Sequence, residues 1–275
     1  MEGRKGVLER VAAGLARIRA ERPLVHHLTN EVTVNDQANI TLSIGASPIM
    51  ASHPAELEEV LAEAGSLVLN IGTITPARTT IILEAAGLAK TKNIPVVLDP
   101  VGAGTSTLRK ELTRQLLECG QVDIIKGNCA ELEAVLGLPT WAKGVDSNQP
   151  VQDLPDLARQ ISERYQITTV ITAGTDVISD GTSLLGVKNG DGMLQQLTGS
   201  GCMLASLIAC FRAVQPDNFL AAVSGTLVMG LAGQLAAEKA AGPASLRVHL
   251  LDEVYRLGRE QLRLANLKLF SALSP

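Results

Sequence analysis

The chain of 275 residues carries 28 acidic and 24 basic residues, a net charge of −4, and is 46% hydrophobic, 19% charged and 2% aromatic. That balance excludes a disordered chain and a nucleic-acid binder, which needs basic excess and aromatic stacking platforms; four cysteines in so long a chain exclude a disulfide scaffold. Unpaired thiols point to a reducing, cytoplasmic setting, and at about 150 residues per domain the length allows one large α/β domain or two small ones.

Residues 1–23 alternate charged and apolar residues at helical spacing and lack the apolar run of a secretory signal. Leu24 to Leu28 is the first predicted strand, with His26 and His27 on opposite faces and structural roles for both. A helix is predicted from Pro54 to Ala64, with Glu56, Glu58, Glu59 and Glu63 on its polar side. Strands follow at Leu67 to Ile71, Pro95 to Leu98, Val122 to Ile125 and Thr168 to Ile171. Between them a helix opens at Thr75-Pro76, threonine as N-cap and proline at the first helical position. Further helices are predicted over Ser106 to Cys119, Asn128 to Leu136 and Leu154 to Tyr165. This alternation implies βαβ units and a parallel sheet, and the continuously apolar strands imply helices on both faces.

Val177 to Ser179 and Ser183 to Val187, joined through Asp180-Gly181-Thr182, predict an antiparallel hairpin at the sheet edge. The last third reads as helical over Gly201 to Val214, Asn218 to Ala240 and Ser245 to Leu267. The loosest stretch, Leu138 to Pro155 around Trp141, Gly144, Ser147 and Asn148, is too short to separate domains, so residues 1–275 are read as one domain. Gly192 to Phe211 and Asn218 to Ala237 are each 20 residues without a charge, long enough to span a membrane. Gln195, Gln196, Gly199 and Gly201 dilute the first, and Ser224, Gly225, Gly230, Gly233 and Gln234 the second, so both are expected inside a soluble fold and no membrane partner is expected. Cys119, Cys129 and Cys210 read as small core residues.

Four segments carry candidate chemistry. In Thr198-Gly199-Ser200-Gly201-Cys202 two glycines flank a serine just before an apolar helix. Such a turn lets backbone approach a ligand, and the helix start favours an anion; an ordinary Gly-rich turn before a core helix accounts for it equally well. Cys202 falls in the first helical turn, where a lowered thiol pKa is expected. Asp99, in Leu98-Asp99-Pro100-Val101-Gly102, ends a parallel strand at the edge where open α/β sheets bind ligands, or merely caps a turn. In Lys126-Gly127-Asn128-Cys129-Ala130-Glu131, Asn128 and Glu131 have the spacing of a capping box, or offer a carboxylate to hydrated Mg²⁺ with a cation beside it. Thr172-Ala173-Gly174 ends another strand and turns into the hairpin. Separately each segment has an ordinary structural explanation. Together they bring carboxylates, a cation, hydroxyls and an anion-holding helix start to one sheet edge, which is the equipment for phosphoryl transfer to a small alcohol. No P-loop sequence is present.

Six ordered motifs then carry a resemblance that runs from Leu24 to about Leu267: Asn30-Glu-Val-Thr-Val-Asn-Asp, Ala46-Ser-Pro-Ile-Met50, Asn70-Ile-Gly-Thr, Asp99-Pro-Val-Gly-Ala-Gly, Gly127-Asn-Cys-Ala-Glu131 and Thr198-Gly-Ser-Gly-Cys202. The chain resembles the hydroxyethylthiazole kinases of the ribokinase-like superfamily. The resemblance implies a three-layer αβα fold with a mostly parallel central sheet and an edge hairpin. It implies ATP-dependent phosphorylation of 5-(2-hydroxyethyl)-4-methylthiazole in thiamine biosynthesis or salvage, with Mg²⁺ required. By resemblance Asp99 and Glu131 hold the metal, partly through water, and Lys126 and Thr172 bind ATP. Gly199, Ser200, Gly201 and Cys202 form the anion hole around the transferred group, with Cys202 at the general-base position. Met50 and Gly199 contact the thiazole, and Asn30 lies in the loop lining its pocket. A homotrimer with active sites between subunits is implied as well.

The chain departs from the family pattern in three places. Lys126 stands where arginine is more usual and loses its two-pronged geometry. Ser200 stands where threonine is common, and Thr172-Ala173-Gly174 spaces the glycine one residue late. Two alternatives stay open at this stage. One is another ribokinase-like small-alcohol kinase, of the hydroxymethylpyrimidine type, or a nucleotide-dependent dehydratase; Cys202 in place of their aspartate argues against both. The other is a non-catalytic thiazole or nucleotide sensor, against which the intact Asp99 and Glu131 argue.

Overall fold

A computed structural model describes residues 3–138 and 153–270; the stretch around Trp141, Gly144, Ser147 and Asn148 lies outside the described residues. In chain order the elements are α1 (Arg4–Glu21), β1 (Leu24–Leu28), α2 (Val34–Ile44), β2 (Ser47–Ile49), α3 (Leu57–Glu63), β3 (Ser66–Asn70), α4 (Pro76–Lys92) and β4 (Val96–Asp99). Then come α5 (Thr107–Glu118), β5 (Ile124–Asn128), α6 (Cys129–Val135), α7 (Leu154–Tyr165), β6 (Thr168–Thr172), β7 (Asp176–Ser179) and β8 (Leu184–Val187). The chain closes with α8 (Ser200–Val214), α9 (Asn218–Ala237), α10 (Pro243–Arg256) and β9 (Leu267–Leu269). The helix starts follow the side chains: Thr75 accepts from Arg78 N at 3.2 Å with Pro76 behind it, and Ser106 caps α5.

The described strands form one sheet in the order β2-β1-β3-β4-β5-β6-β7-β8-β9, parallel from β2 through β6 and antiparallel beyond. Alternate strand residues feed two cores, because successive side chains point to opposite faces. Val25, Val68, Val97, Ile124 and Val170 pack with α1, α2, α8, α9 and α10. Leu28, Leu67, Leu69, Leu98, Ile125 and Ile171 pack with α3 to α7. The result is the expected αβα layering with fully buried central strands.

Three local expectations are corrected, and two elements are not foreseen from the sequence. The hairpin of β7 and β8 is not the sheet edge, because β9 pairs with β8 through Leu185 and Leu269. The last helix does not run to Leu267. It ends at Arg256, where Leu257 turns to extended backbone at ψ 127° and buries its side chain in the core. Helix α2 and strand β2 escape the sequence patterns: α2 is rich in Asn, Asp, Gln and Thr, and β2 contains Pro48, which an edge strand tolerates. Of the three cysteines read as core, only Cys210 is buried; Cys119 is exposed at the end of α5 and Cys129 is half-buried. Helix α9 is long and apolar enough to cross a membrane, yet 83% of its most apolar window is buried inside the fold. It packs on α8 so closely that a Cβ on Gly225 would lie 2.7 Å from the Ile208 backbone.

Candidate active site

Parallel pairing of β1, β3, β4, β5 and β6 brings their carboxyl ends to one edge, with Asn70 in register with Asp99 and Asn128 with Thr172. Helix α8 packs on β1, β3 and β4 and starts at that same edge. The predicted chemistry therefore converges, and it does so as a buried polar network. Asp99 Oδ1 lies 3.1 Å from Lys126 Nζ, and the two side chains are 1% and 5% exposed. Asp99 Oδ2 accepts from Asn70 Nδ2 at 2.7 Å. The Asn70 amide also reaches Cys202 Sγ at 3.2 Å, and Asn70 Oδ1 accepts from Asn30 Nδ2 at 2.9 Å and from Gly72 N at 2.9 Å. Asn30 Nδ2 is 3.5 Å from Cys202 Sγ, and its Oδ1 accepts from Thr33 N and Oγ1 at 3.0 and 3.1 Å. Burial works against the Lys126 ammonium, but Asp99, Glu131 and Cys202 together hold its pKa above the ordinary lysine value.

Glu131 closes the other side of this edge. Its Oε2 accepts from Asn128 N and Asn128 Oδ1 accepts from Glu131 N, both at 2.9 Å, the predicted capping box. Its Oε1 accepts from Gly102 N at 2.9 Å, which ties the start of α6 to the loop after Asp99. Arg109 braces the neighbouring backbone by donating to the carbonyls of Ile71, Val101 and Gly72.

Helix α8 begins at Gly199 in the left-handed region, φ 88°, with no side-chain cap. An uncapped helix start leaves amide donors and the positive end of the dipole for an anion. Gly199 is sterically constrained, whereas Gly201 faces only the flexible end of Lys126. A Cβ on Gly199 would meet Thr33 Cγ2 at 2.6 Å, and one on Gly201 would meet Lys126 Nζ at 2.9 Å. Cys202 sits in the first turn as predicted, but its thiol pKa is not lowered. Burial and the nearby Asp99 carboxylate push it up to about 11, outweighing Lys126, Thr33 and Asn70.

Beside this network lies a cleft of about 440 Å³, lined among others by Asn128, Thr172, Asp176, Lys188, Ser200 and Gly201. Thr172 Oγ1 donates to Gly127 O at 3.3 Å at its mouth. Burial raises the Asp176 carboxyl to about 6, against the Ala173 N–H donated at 2.9 Å and the Lys126 charge.

Direct contacts thus join Asn30, Asp99, Lys126, Gly199, Gly201 and Cys202, and the cleft adds Thr172 and Ser200. Met50 stands apart, half-buried just past β2, two strands from β3 at the same edge. His26 and His27 stay structural: His26 Nε2 bonds Ala51 O at 2.8 Å and His27 Nε2 bonds Ser206 Oγ at 3.1 Å. Sequence reasoning gave no role to Asn70, Thr33 or Asp176. Asn70 was legible in principle, as the one amide ending a buried strand of otherwise apolar residues and serine.

Among the described residues no three His, Cys, Asp or Glu side chains converge as a metal cage. The donor set nevertheless fits Mg²⁺, which keeps several waters and is held by one or two carboxylates plus substrate phosphates. Each oxygen of Asp99 and Glu131 accepts one protein donor and retains a lone pair for a metal-bound water.

The mostly parallel sheet between two helical layers, with the uncapped start of α8 at its carboxyl edge, has the ribokinase-like fold. A ribokinase-like superfamily protein from Enterococcus faecalis superposes with TM-score 0.62 at 12% identity, covering 86% of this chain and 87% of that one. Residues 15–260 match the hydroxyethylthiazole kinase family, and the chain belongs to that family. Hydroxyethylthiazole kinases of Roseiflexus sp. and Desulforudis audaxviator are 44% and 46% identical, each over 92% of this chain and 94% and 93% of their own. The structure of the hydroxyethylthiazole kinase protein from Pyrococcus horikoshii superposes with TM-score 0.89 at 34% identity, covering 96% of this chain and all of that one.

Proposed function

We propose that this chain transfers the γ-phosphoryl group of ATP to the side-chain hydroxyl of 5-(2-hydroxyethyl)-4-methylthiazole, in thiamine biosynthesis or salvage. The observation that carries the reading is the junction of Asp99, Lys126 and Cys202 at the uncapped start of α8. Phosphoryl transfer needs positioning and charge stabilisation more than covalent chemistry, and this edge offers both. The cleft beside α8 takes the nucleotide, with Thr172 and Lys126 toward its phosphates. The amides at Gly199, Gly201 and Cys202 hold the oxygens of the transferred group, with Ser200 between them and its own amide bonded to Leu197 O at 3.2 Å. Mg²⁺, when bound with the nucleotide, neutralises charge on its phosphates, and Asp99 and Glu131 hold its waters. Asn30, Gly199 and Met50 face the thiazole, and Asn70 fixes the Cys202 thiol beside the acceptor hydroxyl. With its thiol pKa near 11, Cys202 is a neutral hydrogen-bonding partner at pH 7 and not a standing thiolate.

The reading extends to the assembly. Helices α2 and α10 pack together, and Leu42, Val248 and Tyr255 on them, with Val32 just before, are each more than half exposed. That apolar face supports a homotrimer whose neighbouring copy completes the pocket near Met50. Four free cysteines support a cytoplasmic setting. The test is purified protein with Mg-ATP and a panel of small alcohols, read by mass spectrometry beside a light-scattering mass. Phosphate appears on the thiazole alcohol, and the mass is three chains. Phosphorylation of a pyrimidine alcohol alone overturns the substrate, and a fully active monomer overturns the trimer.

A further inference from the structure

We propose that Lys126 is the resident cation of the Asp99 carboxylate in the nucleotide-free protein, and that it keeps a divalent metal from Asp99 until nucleotide phosphates draw the ammonium away. The inference rests on the kinase reading above and assigns Lys126 a positioning role ahead of the chemistry.

Two contacts carry it. Neighbouring parallel strands deliver Lys126 and Asp99 to a pair 3.1 Å apart, almost without solvent. In that surrounding a second cation at the same carboxylate meets the ammonium at close range with little screening. The other Asp99 oxygen is already held by Asn70, so the carboxylate cannot swing to a free side. The second contact lies on the far side of the ammonium. A Cβ on Gly201 would lie 2.9 Å from Lys126 Nζ, so the amine already borders the anion-favouring start of α8. A phosphate there offers it a new partner within reach of a small swing of a flexible stem. Lysine suits this exchange because its ammonium is a compact point charge, whereas a guanidinium fork can span two partners at once. Metal and nucleotide therefore bind with positive coupling: phosphates remove the obstacle to the metal, and by linkage the metal tightens the nucleotide.

Titration of MgCl₂ into the full-length protein without nucleotide tests the idea. Wild type, Lys126→Met, Lys126→Gln and Lys126→Arg are compared by calorimetry and by the melting temperature at rising Mg²⁺. The neutral variants bind Mg²⁺ at least about tenfold more tightly than wild type, and their melting temperature climbs with Mg²⁺ while that of wild type stays flat. Lys126→Arg keeps the charge and behaves as wild type. A neutral variant that folds only with Mg²⁺ supports the inference. Neutral variants with Mg²⁺ affinity no higher than wild type overturn it, as does a wild type that binds Mg²⁺ alone as tightly as they do. Thiazole phosphorylation by the wild type is scored separately, so failure of the kinase reading and failure of this inference give different results.

Discussion

Replacing Gly199 with alanine tests the site from its backbone upward. Residue 199 sits at φ 88°, where a Cβ costs about 1–2 kcal/mol. The added methyl also falls 2.6 Å from Thr33 Cγ2, and such overpacking costs about 1–3 kcal/mol. Gly199→Ala therefore loses about 2–5 kcal/mol in urea denaturation. Thr33 is bonded twice to Asn30, and Asn30 touches both Asn70 and Cys202. The displacement is thus passed to the reacting edge, and kcat/KM falls by more than about tenfold, since small misplacements in a catalytic site are costly. Thr33→Ser removes Cγ2 but keeps the hydroxyl that bonds Asn30 and Gln37. In the Gly199→Ala/Thr33→Ser double variant the Cγ2 clash is relieved, leaving the dihedral cost of about 1–2 kcal/mol and a tight 3.1 Å approach to the Cβ of residue 33. If Gly199→Ala costs less than about 1 kcal/mol, or if the double variant is no better than the single, the geometric argument is wrong.

Two further outcomes are expected. Cys202→Ala retains measurable turnover while Asp99→Ala nearly abolishes it, because a neutral thiol contributes little to a loose transition state whereas the Asp99 carboxylate is one of the two proposed for the metal; equal collapse of both in steady-state assays contradicts this. His27 is held down at about 3 by burial against an ordinary 6.5, so the fold favours its neutral form, and the stability this supplies above pH 6.5 is lost as pH falls toward 3. By pH 5 that loss is about 2 kcal/mol, and His27→Gln removes it; parallel acid limbs for variant and wild type in denaturation between pH 7.5 and pH 5 contradict the assignment.

The sequence made the central sheet legible because β3 to β6 are short apolar runs bounded by helix caps, and both signals are local. The site edge followed from that reading: once the strands are parallel, Asp99, Lys126 and Thr172 must emerge at one edge. What stayed hidden depends on distant partners. Strand β9 pairs with β8 across about 80 residues of chain, and its Leu267-Lys268-Leu269 has no pattern of its own. Helix α2 holds its place through Ile40, Ile44 and the buried amide of Gln37 rather than through a strong apolar stripe. The roles of Asn70 and Thr33 are likewise tertiary. An amide at a strand end is ordinary until the opposing Asp99, Cys202 and Asn30 are in place to define what it bonds.

Cys202 shows why position on an element does not settle chemistry. A helix start favours an anion by up to about 2 kcal/mol when partly buried. The rise of the thiol from 9.0 to about 11 corresponds to about 3 kcal/mol in the opposite sense, after every favourable contact has acted. Burial and the Asp99 carboxylate therefore exceed the helix start and Lys126 together. The anion that the start of α8 is built to hold is then one brought by the substrates, whose oxygens develop charge during transfer. An ionised sulfur in the same turn would compete with those oxygens for the Gly201 amide and the Lys126 ammonium. Keeping the thiol protonated leaves both donors for the phosphoryl group, which is where a loose transition state needs them.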